Sequence, residues 1–180
     1  MKVNDFLGAF DGGARSNLFK CNITGQKGGG AFPGAGPGFQ VYVKAIQLPE
    51  HALGEIAVNH MGRIYKYPGD RVYNDVQLTV LSDADMKARH FFEAWNHAFN
   101  KHQDNQGEKL TGQSGGAIVE LTHLERDRTE VRKYKLNNAW CSDVSAVDLS
   151  YDNMDALVEF TVTIKYHYFE VSGGKAGTLP

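Results

Sequence analysis

Apolar side chains occur at every second position along much of this chain after Phe39. The alternation is most regular near the end of the sequence, at Val158, Phe160, Val162, Ile164, Tyr166 and Tyr168. Because successive side chains of a strand point to opposite faces, this pattern predicts strands that bury one face. A chain built mainly of such segments is expected to fold as an antiparallel β-barrel or sandwich.

The predicted strands number about seven or eight, and turn residues separate them. They cover residues 40–46, 56–67 (as one strand or two), 72–80, 117–124, 129–136, 144–151 and 158–169. A type II turn is predicted at Tyr67–Asp70, because Pro68 suits its second position and Gly69 allows the positive φ of the third. A second hairpin is predicted to turn at Glu125–Arg128.

One amphipathic helix is predicted between the strands, over about residues 83–101. Ser82 is the expected N-cap, and Asp83 and Asp85 complement the positive end of the helix dipole. Apolar residues then recur at spacings of three and four, at Ala88, Phe91, Phe92, Trp95 and Phe99. A helix face this apolar must cover a sheet, so we expect the helix to cap one opening of the barrel or sandwich.

The 180 residues predict a single domain, 1–180, with an unusually high glycine content of 20 residues. The glycines cluster in a loop at 25–38, in a second loop at Thr111–Gly116 and in the C-terminal tail, 172–180. Together with the N-terminal arm, 1–13, these segments are expected to be mobile in a monomer and to be ordered in part by neighbouring molecules.

Charge and cysteine content exclude several classes of protein. A formal net charge of −2 argues against a protein that grips nucleic acid through a basic surface. No run of 18 apolar residues is present, and Asp5 and Asp11 interrupt any signal-peptide core, so a soluble, unsecreted chain is expected.

Cys21 and Cys141 have no CxxC spacing and are predicted to be reduced, buried thiols.

The strongest catalytic candidate is Ser114, in the segment Gly112-Gln113-Ser114-Gly115-Gly116, which resembles the nucleophile loop of trypsin-like serine proteases. His60 and Asp75 precede it in the order of a triad, but a triad is defined by geometry and not by order. A glycine loop without catalytic function is the favoured interpretation. A small β-barrel serine hydrolase that uses Ser114 is the alternative.

Neither a metal nor a cofactor site is predicted. His90, Glu93 and His97 share one helical face, but their spacing differs from HExxH, and a solvated helix face is the favoured interpretation. The loop at 25–38 lacks GK[ST] and does not open a helix, so it is not expected to cradle phosphate.

Six short motifs, in order along the chain, resemble segments of the tail tube proteins of contractile-tailed bacteriophages. They are Ala14–Phe19, Val43–Pro49, Met61–Arg63 with Tyr67–Arg71, Val80–Asp83 with Glu93–Trp95, Ala139–Trp140, and Leu149–Asp152 before a last strand ending in aromatics. Ser16 and Cys141 stand where the family commonly has proline, and the glycine loop at 25–38 is unusually long.

The resemblance implies a structural subunit of a virion tail tube, in which hexameric rings stack into a hollow conduit for the genome. It implies as partners other copies of the chain, the tail sheath, baseplate and tail terminator proteins, and double-stranded DNA that passes through the lumen without specific binding. No enzyme activity, cofactor or membrane is implied, and assembly would take place in the host cytoplasm. Because related tubes occur in type VI secretion and in pyocin-like particles, a secretion or injection tube is the alternative.

Contacts between subunits are expected at two hairpins. The candidates are Pro49, Arg63, Tyr67, Asp70, Arg71, Arg126 and Arg128. Charges of both signs around Arg126 and Arg128 favour pairing with another protein surface over phosphate binding, although a plain solvated hairpin is an equal alternative. One barrel of about eight strands is filled by its own side chains, whereas a water-filled channel needs about 16, so several copies must pool their strands.

Overall fold

The computed structural model describes residues 13–25, 42–107, 116–152 and 154–173, and this part of the chain forms nine strands and one helix. The elements are β1 (Phe19–Thr24), β2 (Val43–Ile46), β3 (His51–His60), β4 (Arg63–Tyr73), β5 (Val76–Leu81), α1 (Lys87–Phe99), β6 (Ala117–Leu124), β7 (Glu130–Val144), β8 (Glu159–Lys165) and β9 (Tyr168–Ser172). Ser114, nearly all of the N-terminal arm and of the glycine loop at 25–38, and most of the C-terminal tail lie outside the described residues.

Seven of the strands form two antiparallel layers that share one long strand, β7. The first half of β7 pairs with β6 and β9, and β6 pairs with β1; we call these four strands sheet A. The second half of β7 pairs with β8, followed by β5 and β2, and these form sheet B. Within the described residues the arrangement resembles a sandwich and does not close into a barrel, which confirms the predicted fold class.

The alternating apolar residues of β5 and β8 line up across sheet B. Val76 faces Ile164, Leu78 faces Val162, and Val80 faces Phe160, and all six side chains are buried. They belong to one apolar cluster with residues of sheet A, among them Cys21, Val119, Leu121 and Leu136. Period-two alternation therefore predicted the core of both layers.

The helix α1 packs its predicted apolar face against this core. Ala88, Phe91, Phe92 and Trp95 are buried, and Phe92 meets Phe160 of β8 in an edge contact with ring centroids 6.2 Å apart. Asn96 donates hydrogen bonds to the carbonyl groups of Cys141 (3.0 Å) and Ser142 (3.2 Å) on β7.

No helix in the described part of the chain is long and apolar enough to cross a bilayer.

The start of α1 differs from the prediction, and Ser82 is not its N-cap. A turn comes first, in which the Met86 amide donates to the Asp83 carbonyl (3.0 Å), and the helix begins at Lys87. The Asp83 carboxylate then accepts a hydrogen bond from the Ala88 amide (3.2 Å). Asp83 therefore satisfies a free amide of the first turn from a position outside the helix.

Replacing Asp83 with alanine should lower the free energy of unfolding by about 1 kcal/mol, because the Ala88 amide loses its acceptor. Urea denaturation followed by tryptophan fluorescence measures the change. Asp85→Ala is the matched control, since Asp85 is exposed and forms an ion pair with the exposed Lys87 side chain. Equal unfolding midpoints for the two variants would contradict the capping role of Asp83.

Three predicted strands are wrong, at 72–80, 144–151 and 158–169. The strand predicted at 72–80 is divided at Asn74–Asp75 into the end of β4 and most of β5, which belong to different sheets. The strand predicted at 129–136 continues to Val144, across Asn138, whose φ of 53° marks the change of layer, and 144–151 is not a separate strand. The strand predicted at 158–169 is β8 and β9, divided at Tyr166–His167. There the His167 amide donates to the Asn137 carbonyl (3.2 Å), and the chain crosses from sheet B to sheet A.

Both cysteines are free and buried, as predicted. Burial raises the pKa of the Cys21 thiol to about 12. Burial, followed by the charge of Asp143, raises the pKa of the Cys141 thiol to about 12. Neither thiol is accessible or ionised at neutral pH, so neither should react with a maleimide in the folded protein.

Candidate intersubunit surfaces

The strands β3 and β4 form a separate two-stranded ribbon. Among the described residues they pair only with each other, and their ten and eleven residues give a length of about 33 Å. Met61 and Gly62 make the turn with φ of 49° and 79°, the positive values of a type I′ hairpin. A lone two-stranded ribbon is marginally stable in water, so this one is suited to pack against another molecule.

The type II turn predicted at Tyr67–Asp70 is wrong, because these residues lie inside β4. Leu53 pairs with Arg71 and Glu55 with Pro68, so Gly69 and Asp70 together oppose Gly54 in a β-bulge. A Cβ on Gly69 would lie only 3.1 Å from the Gly54 carbonyl carbon, which explains glycine at this close approach. Pro68 is tolerated because a strand with a free edge does not need every amide as a donor.

One face of the ribbon is apolar, and we call it the ribbon apolar face. It comprises the cross-strand pairs Ala52–Val72, Ile56–Tyr67 and Val58–Tyr65. Its five large side chains are 46–56% exposed. The reverse face is mixed, because it carries the Lys66–Glu55 ion pair (3.0 Å) and also exposes Leu53 and Ile64. Five contiguous exposed apolar side chains are typical of a protein interface.

Aromatic contacts fix the base of the ribbon to sheet A. The rings of His51 and Tyr73 lie 5.4 Å and 5.5 Å from the ring of Phe169 on β9. Tyr73 also contacts Tyr166, with ring centroids 6.1 Å apart. The base is therefore held in place while the turn at Met61–Gly62 stays exposed.

The predicted contact residues fall on different parts of the structure. Arg63 lies beside the turn of the ribbon, Tyr67 lies on the ribbon apolar face, and Asp70 and Arg71 lie at the bulge, all of them exposed. Pro49 precedes β3 and is buried. Arg126 and Arg128 are exposed in the β6–β7 turn, which forms where predicted, with the Arg128 amide donating to the Glu125 carbonyl (2.9 Å).

The contact residues predicted from the sequence do not include Ile56, Val58 and Tyr65, which the ribbon apolar face exposes. A signal for them was present, since apolar residues occur at every second position on both sides of Met61–Gly62. With the turn placed at Tyr67–Asp70, these residues do not face one another. Placing it at Met61–Gly62 brings them onto one face.

Sheet A has a polar face opposite the core. It presents Lys20, Asn22 and Thr24 of β1, Ile118 and Glu120 of β6, Lys133 and Lys135 of β7, and Tyr168, Glu170 and Ser172 of β9, whereas Thr122 on the same face is buried. Two ion pairs cross it, Lys133–Glu120 (2.9 Å) and Lys135–Glu170 (3.8 Å). This face therefore combines hydrogen-bonding groups with charges of both signs.

Both outer strands of sheet A have an unpaired edge. Within the described residues β1 pairs only with β6, and β9 pairs only with β7. An exposed strand edge presents amide and carbonyl groups in position to pair with another chain. Because the two edges belong to different strands, they can pair head to tail between copies.

The residues considered for catalysis do not assemble. His60 adjoins the turn of the ribbon and Asp75 follows its base, so about 33 Å of paired strand lies between them. Asp75 instead lies 3.6 Å from the Lys165 ammonium. Ser114 is outside the described residues, but His60 and Asp75 cannot serve together as its base and orienting carboxylate.

The helix residues considered as metal ligands are all exposed. His90, Glu93 and His97 lie along the outer face of α1, and the Nε2 atom of His97 lies 2.8 Å from the Nδ1 atom of His102. In the described part of the chain, no group of three or more His, Cys, Asp or Glu side chains is placed to hold a metal ion.

Comparison with known proteins identifies the family. Residues 14–172 match the family model of the phage tail tube protein. The tail tube protein gp19 of Enterobacteria phage T4 is 29% identical over 174 residues, which are 94% of this chain and all of that protein. A chain of the anti-feeding prophage baseplate shares the fold with a TM-score of 0.65 at 14% identity, over 91% of this chain and 97% of that one. A chain of an extracellular contractile injection system, in its sheath-tube complex, has a TM-score of 0.63 at 11% identity, over 96% and 99%. The chain thus belongs to the phage tail tube protein family.

Proposed function

We propose that six copies of this tail tube protein close into a ring and that the rings stack into a channel through which the phage genome passes. The observation that carries the proposal is the four-stranded sheet A, whose two edges are unpaired in the part of the chain that the structure describes. A water-filled channel needs about 16 strands or more, which exceeds what one copy supplies. Six copies would contribute about 24 strands if the β9 edge of each pairs with the β1 edge of the next.

The polar face of sheet A is the surface that we assign to the channel wall. Lys20, Lys133 and Lys135 oppose Glu120 and Glu170, so the charges of this face nearly cancel. Binding to DNA depends on cations that displace the counterions of the phosphates. A wall with paired charges would let double-stranded DNA pass without specific binding.

Removing the two carboxylates should make the channel wall retain DNA. Glu120→Gln with Glu170→Gln leaves Lys133 and Lys135 unpaired, so each copy presents two more net positive charges. Tubes of this variant should bind short duplex DNA at 50 mM salt, and the affinity should fall roughly tenfold or more by 200 mM. Co-sedimentation with labelled duplex measures binding. Tubes of the unmodified chain are the control, and equal DNA binding by both would contradict the assignment of this face.

The proposal places the chain in the virion tail, in contact with sheath, baseplate and tail terminator proteins, after assembly in the host cytoplasm. The phage T4 relative is named as a tail tube protein, and one of the similar folds belongs to a sheath-tube complex. We infer a structural role without enzyme activity. The separation of His60 from Asp75 supports this inference.

The ribbon is assigned to contacts between rings, and its charged residues should contribute to them. Arg71 pairs with Leu53 on the reverse face at the base of the ribbon, beside Asp70 and four strand positions from Ala57, and it forms no ion pair within the described residues. Arg71→Glu places a second negative charge beside Asp70 and should weaken each contact by about 1 kcal/mol, which raises the critical concentration for polymerisation about fivefold. Sedimentation across a concentration series measures it. Lys101→Glu, an exposed reversal after α1, is the control, and normal polymerisation of Arg71→Glu would refute the contact.

Electron microscopy of the polymerised full-length chain tests the proposed function. Hollow tubes and end-on rings of six subunits are expected. A protein that stays monomeric at high concentration and in the presence of assembled tail components would overturn the proposal.

A further inference from the structure

The ribbon apolar face needs a complementary surface, and the segment between β7 and β8 offers one. This segment, residues 145–152 and 154–158, which we call the β7–β8 segment, exposes Leu149, Tyr151, Met154 and Leu157 by 74% or more each. Large apolar side chains with so little cover are uncommon on an isolated subunit. They are therefore candidates for burial against another chain.

The ribbon and the β7–β8 segment leave sheet B at opposite ends. The ribbon leads through Asn74 and Asp75 into Val76, the first residue of β5. At the other end of β5, Leu81 pairs with Glu159, which follows the β7–β8 segment. The six residues of β5 separate the two attachment points by about 17 Å. Because both surfaces stay exposed, neither covers the other within one copy.

The charges of the two surfaces are complementary. The β7–β8 segment carries Asp148, Asp152 and Asp155, and its described residues include no lysine or arginine. Arg63 and His60 form a cross-strand pair beside the ribbon apolar face. Arg63 forms no ion pair among the described residues and is free to meet a carboxylate of a partner. Complementary charge around an apolar centre favours one orientation of docking.

We propose that the ribbon apolar face of one copy docks on the β7–β8 segment of a second copy. This contact rests on the proposed function and specifies how the rings stack. Because the two surfaces lie at opposite ends of sheet B, the contact is head to tail and repeats indefinitely along one axis. The apolar side chains of both surfaces are then buried, and Arg63 faces the aspartates.

A groove at the ribbon's own end of the molecule is the competing partner surface. It has a volume of about 460 Å³ and is lined by Phe19, Ile46, Leu48, Leu121 and Tyr134, among others. Ile46 pairs with Leu78, and the following Gln47 amide donates to the Gln77 carbonyl (3.1 Å), so the groove adjoins the start of β5. A ribbon docked there would join copies side by side instead of end to end.

Cysteine cross-linking distinguishes these arrangements, because the native thiols are buried and do not react. Tyr65→Cys chains are mixed with an equal amount of Tyr151→Cys chains, polymerised, and treated with a short bis-maleimide. The expected result is a covalent dimer in the mixed polymer and at least tenfold less in polymers of either variant alone. Ala57→Cys, on the reverse face of the ribbon, replaces Tyr65→Cys in the control and should not cross-link.

A charge exchange gives an independent measurement. Arg63→Glu should raise the critical concentration for polymerisation at least fivefold, and adding Asp152→Arg and Asp155→Arg to the same chain should restore most of the loss. Polymers that form while Tyr65→Cys links to Leu48→Cys, or to itself, and not to Tyr151→Cys would overturn this inference and leave the proposed function intact. Absence of polymers from the unmodified chain would overturn the proposed function and this inference with it.

Discussion

Tyr65→Glu combined with Tyr67→Glu should give a folded subunit that no longer polymerises. Both side chains lie on the ribbon apolar face and are about half exposed, so the subunit itself loses little packing. In a tube, burying the new carboxylates without partners should cost about 3–5 kcal/mol. The critical concentration for polymerisation should therefore rise about 100-fold or more.

Sedimentation across a concentration series measures this loss, and circular dichroism checks that the subunit stays folded. Ala57→Glu is the matched control, because it adds the same charge to the exposed reverse face of the ribbon. We expect the control to polymerise nearly as well as the unmodified chain. If Ala57→Glu impaired polymerisation as strongly as the double tyrosine variant, the assignment of the interface to the ribbon apolar face would be contradicted.

Phe92→Ala should lower the free energy of unfolding by about 3–5 kcal/mol. The Phe92 ring is fully buried between α1 and sheet B, with ring centroids 5.1 Å from Phe91, 6.2 Å from Phe160 and 6.4 Å from Trp95. Truncation leaves a cavity that rigid strands cannot fill. Because domains of this size are stable by about 5–15 kcal/mol, the loss is a large part of the total.

Urea unfolding followed by tryptophan fluorescence tests this expectation. His90→Ala on the exposed face of the same helix is the control and should change the stability by less than about 0.5 kcal/mol. A decrease of less than about 1 kcal/mol in the free energy of unfolding for Phe92→Ala would contradict the packing of Phe92 between α1 and sheet B.

The elements that could be predicted from the sequence are those whose buried apolar residues recur at a regular spacing along the chain. The six buried residues shared by β5 and β8, and the apolar face of α1 from Ala88 to Trp95, all follow from periods of two or of three and four. Their side chains face one core throughout. Tertiary contacts therefore reinforce the local pattern instead of overriding it.

The errors occur where a distant contact decides the local structure. Apolar residues continue to alternate through Tyr166 and Tyr168, yet the chain crosses from sheet B to sheet A at this point. The His167 amide donates a hydrogen bond to the Asn137 carbonyl at the crossing. Pro68-Gly69 has the composition of a turn, but Pro68 pairs with Glu55 and the bulge forms at Gly69 and Asp70, because Gly54 on the opposite strand leaves room for it. Asp83 replaces Ser82 as the acceptor at α1 because an additional turn precedes the helix.

The contact residues predicted from the sequence were chosen for their charge, and their contacts stay a prediction. The hairpin between Pro49 and Arg71 was expected to make contacts because of its charges, whereas its apolar pairs are its most distinctive surface. Placing the turn at Met61–Gly62 is what brings Val58 and Tyr65 onto one face. Neither composition nor spacing could show that β1 and β9 are the outer strands of sheet A among the described residues, because strand order depends on contacts between distant parts of the chain.

A cryo-EM reconstruction of the polymerised tube shows directly how sheet A is placed in the ring. Six subunits in each ring are predicted, with the β9 edge of one copy paired to the β1 edge of the next and with Lys133, Lys135, Glu120 and Glu170 on the channel wall. A tube in which sheet A of each copy keeps both edges unpaired, or turns its polar face away from the channel, would contradict the account.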